Sequence, residues 1–482
     1  MGANFMQFNI LRSSTKEKKI PSPPVLPIVG NLPFIDKHQY LSFTKMAKQY
    51  GDVFQVHIFF QQLVVINGLE TIRQALLKQT DDFAGRPDFY TLVNTVKGRT
   101  IGGRDHGLLW KRHREIVNNA LNSFVSSKTI SVEDIVMNEV DTLTRILTEN
   151  LNKAFDPQVE IGLSVANVIA QILFGEKYER DDQDLIDFVK YAKDFSLNTG
   201  GKLTADFFPL LLIFPNKGLE KRQFVLDALE RLVLKKYYSL RPSYNPEKMR
   251  GMFDSLIKAA NEVSESERES LGLTENLIVE GQPQEIMGTG LQPIAPLIRW
   301  AILYMIAYPE IQAEIHQELD RVVGKGENIR FEDRTNLPFT EAFLLELLRH
   351  VPHFPGGIPH STTNDITIND YFIPKNTPVF INYYSLTQDE RYWEQPEVFN
   401  PHRFLNENNQ IRQELLDKYY PFGLGKRRCI GEHLSRFELF LFLANLAHKF
   451  KFEKVPGAKL SLEGQAGVHV LPQDFQVIIK SR

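Results

Sequence analysis

Apolar positions recur at helical spacing along most of this chain and change to strand-like runs in a few places. The first such run, 52–67, is rich in aliphatic and aromatic residues and reads as strand, turn at Gln61-Gln62, strand. Helical periodicity follows over 69–79, and Phe83-Ala84-Gly85-Arg86-Pro87 punctuates it as a loop. A helix opens at Trp110, and 131–242 alternates helical patterns with short breaks. One of these breaks, 207–215, is strongly apolar but carries Pro209 and Pro215, so it makes a poor long helix and core burial is its default fate. The polar stretch 242–283 contains the charged run 265–269, which reads as a solvated loop or helix face. A long helix is expected over 284–308, then a turn at Pro309, a helix to Val323, and an amphipathic helix over 341–350. Alternation over 366–384 predicts a strand pair turning at Pro374-Lys375-Asn376. Residues 431–449 form a last helix, with Leu434, Phe437, Leu439, Phe442, Leu443 and Leu446 as its apolar positions. The rest, to about 480, is β-rich, with turns at Pro456-Gly457 and Pro472-Gln473. The fold class is mainly α with a smaller β-rich part.

Composition narrows the function more than the fold. The chain has 482 residues, 43% of them hydrophobic and 24% charged, the balance of a globular protein with a large core. A net charge of -3 does not point to nucleic acid as a partner. A single cysteine excludes an intrachain disulfide and fits a reducing, intracellular compartment. The 34 phenylalanines suit an apolar pocket for a lipophilic small molecule, and equally a large core. No run of about 18 apolar residues is present, so no transmembrane helix is expected. Residues 1–20 read as disordered, and the proline-rich segment from Pro21 to Asn31 as stiff and extended. Internal repeats, phosphate-binding glycine loops, Cys-x-x-Cys pairs and His-Glu-x-x-His motifs are absent from the sequence.

The chemistry centres on that one cysteine. Glycines at 423 and 425 precede Cys429 and Gly431 follows it, so the backbone there can turn tightly and approach a flat ligand. Arg427 and Arg428, with the start of the 431–449 helix, are expected to lower the thiol pKa. A thiolate held this way can serve as an axial ligand of heme iron, and a buried structural cysteine is the plainer alternative. Upstream, Trp110 and Arg114 stand four apart on one helix face, placed so that both could reach one carboxylate. Glu346 and Arg349, three apart, can pair on another.

Phe422, Gly425, Arg427, Cys429 and Gly431 match the Phe-x-x-Gly-x-Arg-x-Cys-x-Gly heme signature of the cytochrome P450 family at every fixed position. The chain resembles that family from Pro21 to its C-terminus, and its phrasing at Ile358–Thr363 and Val168–Gly175 is closest to animal microsomal members. The resemblance implies a triangular, mainly helical single domain over 21–482, with a β-rich lobe near its N-terminal half. It also implies heme b, with Cys429 as axial iron ligand, Trp110 and Arg114 on one propionate and His360 on the other. Glu346, Arg349 and Arg403, the last within Phe399-Asn400-Pro401-His402-Arg403-Phe404, would form a buried ion network; His402 stands where Glu is common. The segment 207–215 would cap the substrate pocket and touch a membrane surface. The protein would then be cytoplasmic or peripheral to the endoplasmic reticulum membrane.

The central helix departs from the family pattern. Its acid–threonine pair, which relays protons to iron-bound oxygen, is replaced here by Gln292-Pro293 within 287–296. Glutamine donates no proton near neutral pH, and proline lacks both hydroxyl and N–H. With Pro296 nearby, a kink or break is expected, at about 3 kcal/mol per interior proline. The favoured reading is therefore rearrangement, dehydration or cleavage of a fatty-acid hydroperoxide, independent of O2 and NADPH. That is the chemistry of epoxyalcohol synthases, allene oxide synthases and hydroperoxide lyases, with Gln292 as the residue that holds the peroxide. The alternative is a reductase-dependent monooxygenase acting on a lipid, steroid or xenobiotic, with Thr289 or ordered water as the proton path. A non-catalytic heme protein is the third reading.

Overall fold

The computed structural model describes residues 18–125, 131–199, 204–324 and 326–482. Residues 1–17 of the expected disordered segment lie outside these, but 18–20 are placed. Lys18 bridges to Tyr371 and Ile20 is buried.

The helix Gln282–Ala307 runs through the core, its C-terminal half buried almost continuously from Leu291 to Ile306. It packs on Gln158–Phe174, and a Cβ at Gly290 would collide with Ile169 at 2.5 Å, so the glycine sets how closely the two helices approach. With the helical turn before it, as Asn276–Ala307, it is also the one helix among the described residues long and apolar enough to cross a membrane, but 72% of its apolar window is buried inside the protein. A core helix in a large fold has that composition for the same physical reason.

The expected break at Pro293 does not occur: the helix is continuous through both prolines. Packing on several sides overrides propensity here. Trp300, one turn after Pro296, is buried and donates its indole N–H to the Val470 carbonyl at 3.1 Å, pinning the helix to the C-terminal strap. The carbonyls that lose their helical donors belong to Thr289 and Gln292, both of which border the main cavity.

A four-stranded sheet has the order Val53–Ile58, Gln61–Ile66, Pro378–Ile381, His360–Ser361. The first two strands are antiparallel, with Val53 opposite Ile66. Their turn is at Phe59-Phe60, not at the glutamines, and Gln62 donates across to Gln55 at 2.6 Å. Gln61–Ile66 runs parallel to Pro378–Ile381, whose other edge carries His360 opposite Val379. The expected 366–384 strand pair is divided between two sheets. Ile366–Ile368 and Tyr371–Ile373 form a hairpin turning at Asn369-Asp370, both with positive φ (48° and 66°). Pro374-Lys375-Asn376 is the link to the larger sheet. A third sheet pairs Val477–Ser481 with both Phe450–Lys454 and Ala154–Phe155; between its two C-terminal strands lies mostly irregular chain rather than further strands.

Segment 207–215 is not in the core. It forms a short 3-10 turn, Pro209–Ile213, with Leu210, Ile213 and Phe214 exposed. Phe207 and Phe208 anchor it on Phe89 and Phe59.

Glu346, on the helix Pro338–His350, is completely buried between two guanidinium groups. Arg349 donates Nε to Oε2 at 2.7 Å and Nη2 to Oε1 at 2.8 Å. Arg403 Nε reaches Oε1 at 3.0 Å, beside the Asn400 N–H at 2.9 Å. Arg349 also donates to the Thr387 and Pro396 carbonyls, so the helix and the 387–403 meander are tied through one carboxylate. His402 instead faces outward and meets Glu314 at 3.1 Å. Removing one partner from a buried network strands the others. Glu346→Gln should therefore destabilise the fold by about 3 kcal/mol or more, against about 0.5 kcal/mol or less for Glu314→Gln at the exposed pair. Chemical denaturation of the heme-loaded variants, compared by midpoint, checks this.

Candidate active site

One large cavity, about 440 Å³, lies between the central helix and the cysteine loop. Its walls are mostly apolar, among them Ile169, Phe188, Leu229, Leu297, Leu348 and Phe422, and Cys429 lines it as well. The loop that presents the cysteine turns through Gly423 and Gly425, both with positive φ, and closes when the Cys429 N–H donates to the Phe422 carbonyl at 2.9 Å. Gly425 meets a second demand: a Cβ there would collide with the Leu76 carbonyl, because the loop is pressed against the π-helical turn Gln74–Lys78. Gly431 stands beside the sulfur, its Cβ position 3.9 Å from Sγ. The helix Glu432–Lys449 starts just after it.

The thiol is open to the cavity though deep in the protein. Burial is the leading influence and pushes its pKa up, against the pull of the Gly431 N–H, Arg114 and Arg428. This reverses the direction expected from the sequence, for a visible reason. Arg427 turns away from the sulfur to lie 4.0 Å from the Trp110 ring centroid, donating to the carbonyls of Ala84, Ile101 and Arg104. Arg428 is exposed and paired with Glu432 at 2.7 Å. A thiol in such a setting ionises when a metal cation binds it.

Positive charge collects instead at one rim of the cavity. Arg86, Arg114, Arg427 and His360 all border it. Arg86 spends its N–H groups on the carbonyls of Gly102, Ile358 and Pro359. Arg114 donates to the Arg428 carbonyl. Burial pushes Arg86 down to about 10, and burial with repulsion from Arg86 and Arg114 pushes Arg427 down to about 8. Guanidinium groups do not deprotonate in proteins, so the depression reflects chiefly the cost of taking these charges out of water. His360 donates Nδ1–H to the Phe83 carbonyl at 2.6 Å, and burial plus the same arginines hold it neutral. Trp110 behaves differently from the expectation. It is buried behind Arg427, and its indole N–H donates to Ile101 at 3.1 Å.

Two residues of this rim carried no sequence signal that was read as chemical. Arg86 sits within the 83–87 loop, where an arginine between glycine and proline in an apolar setting was the available cue. Glu285, in the first turn of the central helix, accepts from the Ile101 and Gly102 N–H groups at 2.6 and 2.7 Å and from Gln282 at 3.0 Å. It clamps the loop that also receives Trp110 and Arg427, and burial raises its pKa.

On the opposite wall, Thr289 faces the cavity and donates its hydroxyl to the Glu285 carbonyl at 2.8 Å. Gln292 is mostly buried and separates the cavity from a smaller one of about 50 Å³ beside Arg299. Pro293 lines the main cavity. The donor set therefore suits heme b: a lone thiol, apolar walls for a flat macrocycle, and a cationic rim whose charge is met by carboxylates. Cys429 would hold the iron, and Arg86, Arg114, Arg427 and His360 the propionates.

The family model for cytochrome P450 matches residues 20–479. The chain is 37% identical over 461 residues to cytochrome P450 1A3 of Oncorhynchus mykiss, covering 94% of this chain and 88% of that one. Cytochrome P450 1A1 of Oryzias latipes is 37% identical with the same coverage, and that of Limanda limanda 36%.

Two outcomes follow from the geometry. Cys429→His should remove the strongly red-shifted carbon monoxide band of a ferrous thiolate heme. Arg427→Leu should weaken heme retention by about tenfold or more, since one charge-assisted contact contributes about 1.5–3 kcal/mol, whereas Arg428→Leu should leave it near the unmodified value. Absorbance of the ferrous carbon monoxide complex checks the first, and heme transfer to an acceptor globin measures both arginine variants.

Proposed function

Because the chain belongs to the cytochrome P450 family, whose cofactor is heme b, we propose that it is a reductase-dependent monooxygenase of lipophilic small molecules. The observation that carries this reading is 37% identity along 94% of the chain to a P450 1A protein, which makes the family's ordinary activity the best supported one. The sequence had favoured hydroperoxide rearrangement on the strength of Gln292 and Pro293 alone. Likeness over nearly the whole chain outweighs two positions.

Bound heme supplies the redox chemistry: with two electrons from a reductase and two protons, one atom of O2 enters the substrate and the other leaves as water. The chain's own residues do the rest. The apolar walls take the substrate from water, and the 207–215 segment, with exposed Leu210, Ile213 and Phe214, gives an apolar surface suited to peripheral contact with a membrane. Gln292 and Pro293 offer no titratable group, and the Thr289 hydroxyl already donates its hydrogen bond to the Glu285 backbone carbonyl, leaving its oxygen as an acceptor. Protons then travel over water held by the Gln292 amide and the Thr289 oxygen.

Gln292 also supports the second reading. Its amide can donate a hydrogen bond to a peroxide without transferring a proton, which suits cleavage of an existing O–O bond. The two are separated by one comparison on the purified protein: a polyunsaturated lipid with reductase and NADPH, beside its hydroperoxide with neither. Hydroxylation coupled to NADPH is expected, and Gln292→Asp with Pro293→Thr should improve that coupling severalfold. Rapid hydroperoxide turnover by a protein inert with NADPH would reverse the assignment.

A further inference from the structure

Among the described residues, two carboxyl groups line the main cavity, and they are used in opposite ways. Glu285 spends both oxygens, on the N–H groups of Ile101 and Gly102 and on the Gln282 amide. Glu438 spends neither. It projects from the helix Glu432–Lys449 on the face that also carries Leu434 and Ser435, four and three residues earlier, and all three line the cavity. The residue keeps only 2% of its surface. Oε1 is sealed in and has no partner. Oε2 has no hydrogen bond either but is not sealed, so it is the oxygen left open to the cavity.

A carboxylate with no donor and no cation beside it is a poor occupant of an apolar wall, and such a group stays protonated instead. Burial alone raises the Glu438 pKa, to about 8, and no charged side chain acts on it. The buried charges on the helices packed against it are engaged elsewhere: Glu139 with Lys177, Arg299 towards Asp156, Glu318 with the Phe339 and Thr340 N–H groups, and Glu346 with Arg349. Glu438 is therefore a neutral acid with one O–H to give.

The other titratable groups of the cavity are poor proton sources. Its arginines keep their protons. Burial holds His353, His360 and His469 neutral and pushes the phenols of Tyr383, Tyr384 and Tyr419 further up. Gln292 and Pro293 stand where the family pattern has its acid and alcohol. An acid that titrates close to the working pH is the kind that transfers protons best.

We propose that Glu438 is the acid that feeds protons into the cavity in place of the pair lost at Gln292-Pro293. The role rests on the monooxygenase reading, whose reaction consumes two protons. The O–H bond at Oε2 breaks as a cavity water takes the proton, and the carboxylate left behind is reprotonated from bulk solvent; no electron moves in this step. The helix that carries Glu438 packs on the central helix, so the acid and the open carbonyls of Thr289 and Gln292 belong to adjoining walls.

Glu438→Gln keeps the shape and the neutral state but has no proton to give. With heme content verified by the carbon monoxide band, it should still oxidise NADPH with the reductase and a polyunsaturated lipid, while hydroxylated product per NADPH falls by about tenfold or more. A raised pKa means that the proton is available below it and lost above it. Coupling in the unmodified protein should therefore decline as pH rises through about 8, and the Gln variant should lose that dependence. Glu438→Asp, which keeps an acid on a shorter arm, should retain part of both. A readout apart from turnover is the infrared difference between unmodified and Gln holoprotein, which should show the carbonyl stretch of a protonated carboxylic acid at neutral pH. Absence of that band, or coupled hydroxylation with the same yield and pH profile in the Gln variant, overturns the role alone. The band in a protein that does not hydroxylate with NADPH removes the monooxygenase reading and the role with it.

Discussion

An excess of positive charge at one cavity rim is the constraint around which this structure is arranged. Arg86, Arg114 and Arg427 converge there, and the carboxylates that act on them, Asp105 and Glu285, offset only part of their charge. Backbone carbonyls absorb the guanidinium donors, but a carbonyl dipole satisfies a hydrogen bond without cancelling a charge. The rim therefore carries a standing demand for an anion. Four distant parts of the chain are held together to create it: the 83–87 loop, the tryptophan helix Leu108–Val125, the strand edge at His360 and the cysteine loop. The sulfur lies in a different regime, where burial rather than charge dominates, so iron at Cys429 and carboxylates at the rim would meet two separate demands of the fold.

The cysteine loop was legible because its constraints are local. Tight turns require glycines at fixed offsets, and a flat ligand requires the backbone to come close, so the spacing itself carried the information. Glu346 and Arg349 share a helix turn, so spacing allowed the pair, whereas Arg403 was reached only through the resemblance to the family and its short motif. Arg86 and Glu285 obey no period. Each acts through backbone atoms of a loop that only the folded chain brings within reach, Arg86 on Gly102 and Glu285 on Ile101 and Gly102. The direction of the Cys429 shift was misread for the same reason, since neighbours in sequence were taken as neighbours in space. Arg427 is two residues from the sulfur and faces Trp110.

Turn positions failed where side-chain chemistry misled. Gln61-Gln62 looked polar enough to turn, yet both lie in the strand, where Gln62 bonds across the ladder to Gln55, while two phenylalanines make the bend. Pro374-Lys375-Asn376 carries turn residues and does change direction, but between sheets; the hairpin used the Asn369-Asp370 pair, whose tolerance of positive φ fits a two-residue turn. The apolar 207–215 segment shows the opposite case. Hydrophobicity alone suggested the core, and only the fold reveals that Phe207 and Phe208 suffice as anchors, leaving the prolines to hold the remainder outward.

The central helix makes the link from packing to chemistry. Two interior prolines should end a solvent-exposed helix, yet this one is gripped by Ile169 at Gly290 and by Val470 at Trp300, on either side of the lesion. The fold therefore tolerates what the backbone alone would not. The consequence falls on the cavity face, where the carbonyls of Thr289 and Gln292 lose their donors just where the acid and alcohol of the family pattern are missing. A surface that gave up titratable groups has gained backbone acceptors without their helical donors, next to a small side cavity bordered by Arg299 and Gln292. On the proposed monooxygenase reading, acceptors of this kind would order water, and that water, with Thr289 beside it, would carry the protons. The same two residues that removed the side-chain relay thus supply the conditions for a solvent one.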